Sequence, residues 1–302
     1  MYSMGKKVLA IYFSQSGQLG EIIDNFCLPL AEAGVSVEKV RVHLQNDFAF
    51  PWTTKSFFSV MPDCVLGVQH QLAPFTLNET AYDLIVLGYQ AWFLSPSIPF
   101  NALIHHPLLR QVIKNTPVIT ITGARNMWVN AYEKIKKLLW AADAKLVGNI
   151  ALTDTHLNLV SIFTIFHWML TGKKDRYMGF FPLPGVPAAD IAHTETLGRH
   201  ALPYLQKNDW TGFQDVMVGE KGVDLKWHLI FIESKAGVMF KLWANLISKS
   251  KKREAWLVVF KYYLLIALFI AAPIVFLIDR VVFRPFLPKY VKAKKAFYLK
   301  LN

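Results

Sequence analysis

Cysteine is scarce. The 302-residue chain has two, Cys27 and Cys64. They show no metal-ligand spacing, which argues against a zinc site or a disulfide framework and makes a reducing, intracellular setting the simpler expectation. The usual nucleotide signatures are missing as well. No G-x-G-x-x-G follows a strand pattern, and no G-x-x-x-x-G-K-[ST] occurs. The N-terminus enters a strand pattern directly, so no leader peptide is expected. No internal repeat is visible. Acidic residues thin out toward the end of the chain. Residues 221–302 hold 16 basic and 4 acidic side chains, whereas residues 1–220 hold 17 of each, so the net charge of +12 belongs to the last quarter. That asymmetry points to an anionic partner there, either nucleic acid or anionic lipid.

What is plentiful is apolar surface. The hydrophobic fraction is 53% and the mean hydropathy is positive, above the usual soluble range. The length suffices for a full core.

From residue 1 to about 152, strand and helix patterns alternate. Strands are expected at Lys7–Phe13, Val35–Val42, Leu84–Gly88, Val118–Thr122 and Leu146–Leu152. Helices are expected at Gly17–Ala33, Ile98–Lys114 and Trp128–Ala142. This alternation predicts an α/β domain over 1–152, with a parallel sheet covered on both faces. The aromatic connection from Gln45 to Ala81 is predicted to form a flap or excursion. Residues 153–220 read as an appended helical and loop segment. It contains the uncharged run Leu157–Gly172, which is short for a membrane span, and a helix from about Ala188 to Leu205.

Residues 221–302 read as membrane-associating. Tyr262–Ile278 is seventeen residues without a charge, or roughly 26 Å of helix against a hydrocarbon core of about 30 Å. Trp256, Tyr262 and Tyr263 cluster near one end, where interfacial aromatics belong. Upstream, Phe240, Trp243 and Ile247 recur at helical spacing among lysines, which predicts an in-plane amphipathic helix with that apolar face in lipid. Both flanks are basic: Lys249, Lys251, Lys252 and Arg253 before the run, then Arg280, Arg284, Lys289, Lys292, Lys294 and Lys295 after it. A single crossing places one cluster on the wrong side of the membrane. A helix broken at Pro273 keeps both on one face. The expected location is therefore the cytoplasmic face of a membrane, monotopic or single-span, with anionic lipid contacted through 235–300. These charges frame a lipid-like segment rather than a recognition helix, so no nucleic-acid partner is expected.

The chemistry is expected in three loops that follow strands. The first is Ser14-Gln15-Ser16-Gly17-Gln18-Leu19. A helix N-terminus exposes unpaired N–H groups, and serine hydroxyls with a glycine make a place for phosphate. A plain serine cap gives the same residues. The second loop offers Tyr89, Gln90, Ala91, Trp92 and Phe93. The third offers Gly123, Ala124, Arg125, Asn126, Met127 and Trp128. Tyr89, Trp92, Phe93 and Trp128 are flat faces for a planar ring, and Gly123, Ala124 and Asn126 are contacts for a polar edge. Arg125 is a candidate for an anionic oxygen. His156, just past the last strand, is the candidate base. His167 reads as structural, and Lys173, Lys174 and Arg176 as weaker anion contacts.

The first loop resembles the flavodoxin phosphate loop, Ser/Thr-x-Ser/Thr-Gly-x-Thr, with Leu19 standing where a hydroxyl is usual. That resemblance implies a flavodoxin-like sheet of order 2-1-3-4-5 and FMN bound by the three loops. The strings "LGYQAWFLSPSIP", "RNMWVNAYEKIKKLL" and "HWMLTGKKDR" are similar to a bacterial family labelled dialkylresorcinol condensing enzymes, over most of the chain. It implies an FMN-dependent oxidoreductase that oxidises a lipid-like cyclic ketone to the aromatic resorcinol, with a separate ketosynthase as partner. The surroundings of Cys27 and Cys64 do not suit a ketosynthase nucleophile. Alternatives are an NAD(P)H:quinone-type flavin reductase, a membrane-docked electron carrier, or a scaffold for the ketosynthase.

Overall fold

The computed structural model describes residues 5–223 and 225–301. The strands are β1 (Lys7–Tyr12), β2 (Ser36–Arg41), β3 (Leu84–Gly88), a short hairpin of β4 (Ala91–Trp92) and β5 (Ser95–Pro96), then β6 (Pro117–Ala124) and β7 (Lys145–Thr153). Leaving out the hairpin, they form one parallel sheet in the order β2-β1-β3-β6-β7. Counting only these strands, that is 2-1-3-4-5, the flavodoxin-like order. The inner strands are continuous apolar runs because both faces are covered. Along β1, Leu9 and Ile11 enter one core while Val8 and Ala10 enter the other.

Before β3 come α1 (Gln18–Glu32), then α2 (Thr54–Ser59) and α3 (Met61–Leu66), which lie in the aromatic excursion. The single helix expected over Ile98–Lys114 is two, α4 (Ile98–Ile104) and α5 (Pro107–Ile113). Pro107 forces the preceding His106 into an extended conformation, φ −69° and ψ 133°, and the helix restarts. Next come α6 (Val129–Trp140), α7 (Asn158–Thr171), α8 (Ala188–Lys207) and α9 (Phe213–Gly219).

Residues 153–220 pack closely against the sheet. α8 lies along α1, and Gly198 fits so closely that a Cβ there would stand 2.1 Å from the Phe26 carbonyl oxygen. Thr194 Oγ1 donates to Ile22 O at 3.2 Å, and Ala151 N donates to Gly222 O at 2.8 Å. The α8–α9 region thus completes one face of the sheet. Burying a side chain such as Leu197 there contributes about 1.5–3 kcal/mol.

The C-terminal part folds back on this body. α10 (Trp227–Lys249) buries Phe240, Ala244 and Ile247 against α2 and α3. The stripe expected to face lipid therefore faces protein, because helical spacing marks a buried face without naming its partner. The chain reverses into α11 (Arg253–Ile266) and continues through π-helical turns at 267–271, α12 (Ala272–Ile278), π-helical turns at 279–283 and α13 (Arg284–Phe286). No break occurs at Pro273. The wide turns just before it absorb the hydrogen bond that proline cannot make. Of the basic flank, the Arg284 side chain lies outside the described residues. By length and composition, Arg253–Val281 could cross a membrane. Both of its ends nevertheless touch the folded body. Arg253 pairs with Asp63 at 3.1 Å. In α14 (Pro288–Leu299), the Tyr290 ring lies 5.5 Å from that of Trp227, and Leu299 O accepts from Gln214 Nε2 at 3.2 Å. Between these anchors Tyr262, Ile266, Ile270, Ile274, Leu277 and Val281 stay exposed, four or three residues apart, along one outer face.

Candidate functional site

Strand order reverses between β1 and β3, so the loops after these strands diverge to opposite faces and open a crevice beyond their carboxyl ends. A cavity of about 300 Å³ lies there, at the lower end of the roughly 300–1,000 Å³ typical of small-molecule sites. Its two ends differ in chemistry.

The polar end is built from the three expected loops. At the first, the N-cap of α1 is Gly17, with φ +90° and ψ −29°. No side chain among the described residues caps the helix, which removes the plain serine-cap reading and leaves its first N–H groups turned outward. Gln15, Ser16, Gln18 and Leu19 line the cavity. Ser14 is buried beside it, and its Oγ has no hydrogen-bond partner among the described residues. Gln18 departs from its expected role. Its Nε2 donates to Val186 O at 3.3 Å, and its Oε1 accepts from Val186 N at 3.1 Å. Both halves of the amide tie down the segment before α8. Gly185 stands there at φ +86°, so close that a Cβ would meet Gln18 Oε1 at 2.7 Å.

At the second loop, β4 and β5 pair as a hairpin whose tip residues, Phe93 and Leu94, both have positive φ, 47° and 58°. Bulky residues rarely adopt this conformation, and such strain concentrates at functional sites. The tip is braced from below. Cys64 Sγ donates to Trp92 O and Pro96 O, and Lys134 Nζ donates to Ser95 Oγ at 2.8 Å. Gln90, Ala91, Trp92 and Phe93 line the cavity. Tyr89 does not; it is buried in the core.

The third loop supplies Gly123, Ala124, Arg125, Asn126 and Met127. Trp128 turns away into the core, 5.7 Å from the Tyr132 ring. Its place as the residue that starts α6 makes it a packing group rather than a cavity wall. Arg125 Nη1 donates to Asn158 Oδ1 at 2.8 Å, Asn158 O at 3.2 Å and Ser161 Oγ at 3.2 Å. Burial pushes its pKa down to about 10, with the nearby Asp154 charge opposing the shift. The guanidinium therefore stays charged at neutral pH, and no carboxylate among the described residues lies within ion-pairing distance. Arg125 is also the one ionisable side chain among the described residues that line the cavity.

His156 lies elsewhere. Its Nδ1 and backbone N contact Asp154 Oδ1 at 2.6 and 2.9 Å, and the ring does not line the cavity. His167 pairs with Asp175 at 2.6 Å, a structural role as expected. Lys173, Lys174 and Arg176 are exposed outside the cavity. Both cysteines are buried, and burial pushes the Cys27 thiol up to about 12 and the Cys64 thiol higher, the setting of packing groups rather than of activated thiolates.

The apolar end was not visible in the sequence. Phe50, Trp52, Phe57 and Val60 come from the aromatic excursion. Ile162, Ile165, Phe166 and Met169 come from the inner side of α7, and Leu264 and Leu268 from the C-terminal helix. The Trp52 ring meets Trp92 edge-on at 5.5 Å, and Phe57 packs on Phe93 at 5.0 Å. The excursion and α7 could be read only as apolar; that they converge on one cavity is a fact of tertiary packing.

The residues present fit a phosphate-bearing, ring-shaped cofactor. An uncapped helix start accepts an anion. Buried oxygens on Gln15, Gln90 and Asn126 lack partners among the described residues. Each such atom costs about 1–3 kcal/mol unless a ligand donor meets it.

No protein-family profile matches the chain, and no curated protein matches it. Among solved structures, a flavoprotein in complex with FMN from Lactobacillus acidophilus is 16% identical, with a TM-score of 0.38, covering 49% of this chain and 93% of its own. A candidate flavoprotein from Bacteroides eggerthii is 18% identical, with a TM-score of 0.39, covering 50% of this chain and 91% of its own. One from Bacteroides uniformis is 16% identical, with a TM-score of 0.38, covering 55% and 98%.

Proposed function

We propose that this chain is an FMN-dependent oxidoreductase that works at a membrane surface and oxidises a lipid-like cyclic ketone to a dialkylresorcinol-type aromatic. One observation carries the reading. A single cavity joins an anion-ready polar end to an apolar end walled by a helix whose outer face is bare hydrocarbon. Residues 14–17 and 19, with the backbone N–H of Gln18, would hold the phosphate, and Gln90–Phe93 with Gly123–Met127 would hold the ring. FMN, when bound, supplies the hydride acceptor.

The chain's own residues then have defined tasks. Arg125 holds an enolate oxygen of the substrate and stabilises the deprotonated ring. Enolisation would release the ring proton to water before the alkyl chains seal the cavity, and bound FMN would supply the acceptor for the hydride on the neighbouring ring carbon, so that one proton and one hydride account for the two-electron oxidation. No side-chain base is required, in keeping with a cavity wall whose one ionisable group among the described residues is Arg125. Phe57, Phe166 and Met169 receive the alkyl chains and exclude water. With both basic flanks bound to the same body, the C-terminal helix lies in the plane of the membrane rather than crossing it. This supports the monotopic arrangement on the cytoplasmic face.

The test is to mix FMN-loaded protein with a dialkyl cyclohexanedione under anaerobic conditions. Flavin bleaching without a nicotinamide, with resorcinol formed, is the expected result. Bleaching only with NAD(P)H would favour a quinone-type reductase instead. No bleaching in either case would favour a carrier or a ketosynthase scaffold.

A further inference from the structure

α7 has two apolar faces. The inner one lines the cavity. The outer one carries Leu159 and Phe163, both exposed and four residues apart. The loop beyond α7 adds Met178, Phe180 and Leu183, which are also exposed; Phe180 is 68% accessible. This surface is continuous with the C-terminal helix, because the Phe163 ring lies 5.5 Å from Phe269 and 6.1 Å from Phe181. Exposed Lys173, Lys174 and Arg176 border it against a single acid, Asp175. Large aromatics in a contiguous exposed patch mark an interaction site. An apolar centre with a basic rim matches the boundary between acyl chains and anionic headgroups.

We infer that the outer face of α7 and the loop 178–183 form a second membrane-contact surface that inserts beside the C-terminal helix into an anionic bilayer. α7 then separates lipid from cavity, and the apolar end of the cavity lies at the depth of the acyl chains. A substrate with long alkyl chains reaches the cavity from the bilayer without crossing water. The inference rests on the membrane-surface reading above, and the test separates the two.

Single cysteines placed at Phe180→Cys, Leu183→Cys, Ile270→Cys and Trp140→Cys in the full chain accept an environment-sensitive fluorophore. Native Cys27 and Cys64 are buried and stay unlabelled. Trp140 is 83% exposed at the amino end of the sheet and serves as the aqueous reference. The vesicles contain equal parts of phosphatidylcholine and phosphatidylglycerol, with or without nitroxide-labelled acyl chains. The expected result is blue-shifted emission at 180, 183 and 270, with quenching at 180 and 183 within about twofold of that at 270 and none at 140. Quenching at 270 alone overturns this inference and leaves the in-plane helix standing. No quenching at any position overturns both.

Discussion

The two ends of the cavity follow opposite rules. At the sheet end, polar atoms are buried without partners among the described residues: Ser14 Oγ, Gln15 Oε1, Gln90 Oε1 and Asn126 Oδ1. At the far end, side chains from three separate segments present an apolar wall of aromatic, aliphatic and thioether groups. A buried polar atom without a partner costs free energy until a ligand arrives, whereas an apolar wall costs little when it is empty. On the proposed reading, the polar end fixes the identity and orientation of what binds, and the apolar end selects among alkyl-chain lengths.

Arg125 offers the sharpest way to break this comparison. Arg125→Met removes the one charge lining the cavity among the described residues, and turnover per bound flavin should fall about 10²–10³-fold. Stopped-flow reduction of the bound flavin measures it. Turnover within twofold of the parent would remove Arg125 from the mechanism. At the other end, Phe166→Ser should lower kcat/KM about 10–200-fold for long-chain substrates while leaving short-chain analogues and FMN affinity near parent values. Equal losses for both chain lengths would mean that the apolar end does not select.

A smaller effect concerns how the apolar end is held in place. Glu233 on α10 accepts from Asn130 N at 2.7 Å, and Asn130 Nδ2 donates back to Glu233 O at 2.6 Å, docking α10 on α6. Burial raises the Glu233 pKa from 4.5 to about 8. The folded state thus holds this proton more tightly than the unfolded chain does. The contribution is complete below about pH 4.5 and is lost as pH rises through about 8. The thermal midpoint should fall by a few degrees across that window, and Glu233→Gln should flatten the slope. Parallel pH profiles for parent and variant would contradict this.

Much of the sheet was legible because strands covered on both faces are unbroken apolar runs, such as Val8–Ile11 and Leu84–Leu87. The polar end of the cavity was legible for a related reason: loops after parallel strands converge at one edge. Partners of helices were not legible. The spacing of Phe240, Trp243 and Ile247 showed a face but not that α2 and α3 cover it. The sequence shows α8 as a helix in the segment packed on the sheet, and only the fold shows that Gly198 seats it on Phe26. Gln18 has a donor suited to phosphate, and only the fold shows that Val186 holds it. Tyr89 and Trp128 are flat aromatics in the right loops, yet their side chains point into the core. Pro273 looked like a break, but the π-helical turns beside it absorb the defect.

If the polar end holds FMN, the protein is coloured, and its colour is the simplest measurement of the site. Full-length chain, purified in mild detergent and incubated with FMN, should retain about one flavin per chain after gel filtration and release it as FMN on denaturation. Ser14→Ala should weaken retention about tenfold, or about 1.4 kcal/mol. A folded protein that stays colourless after the same incubation would contradict the account.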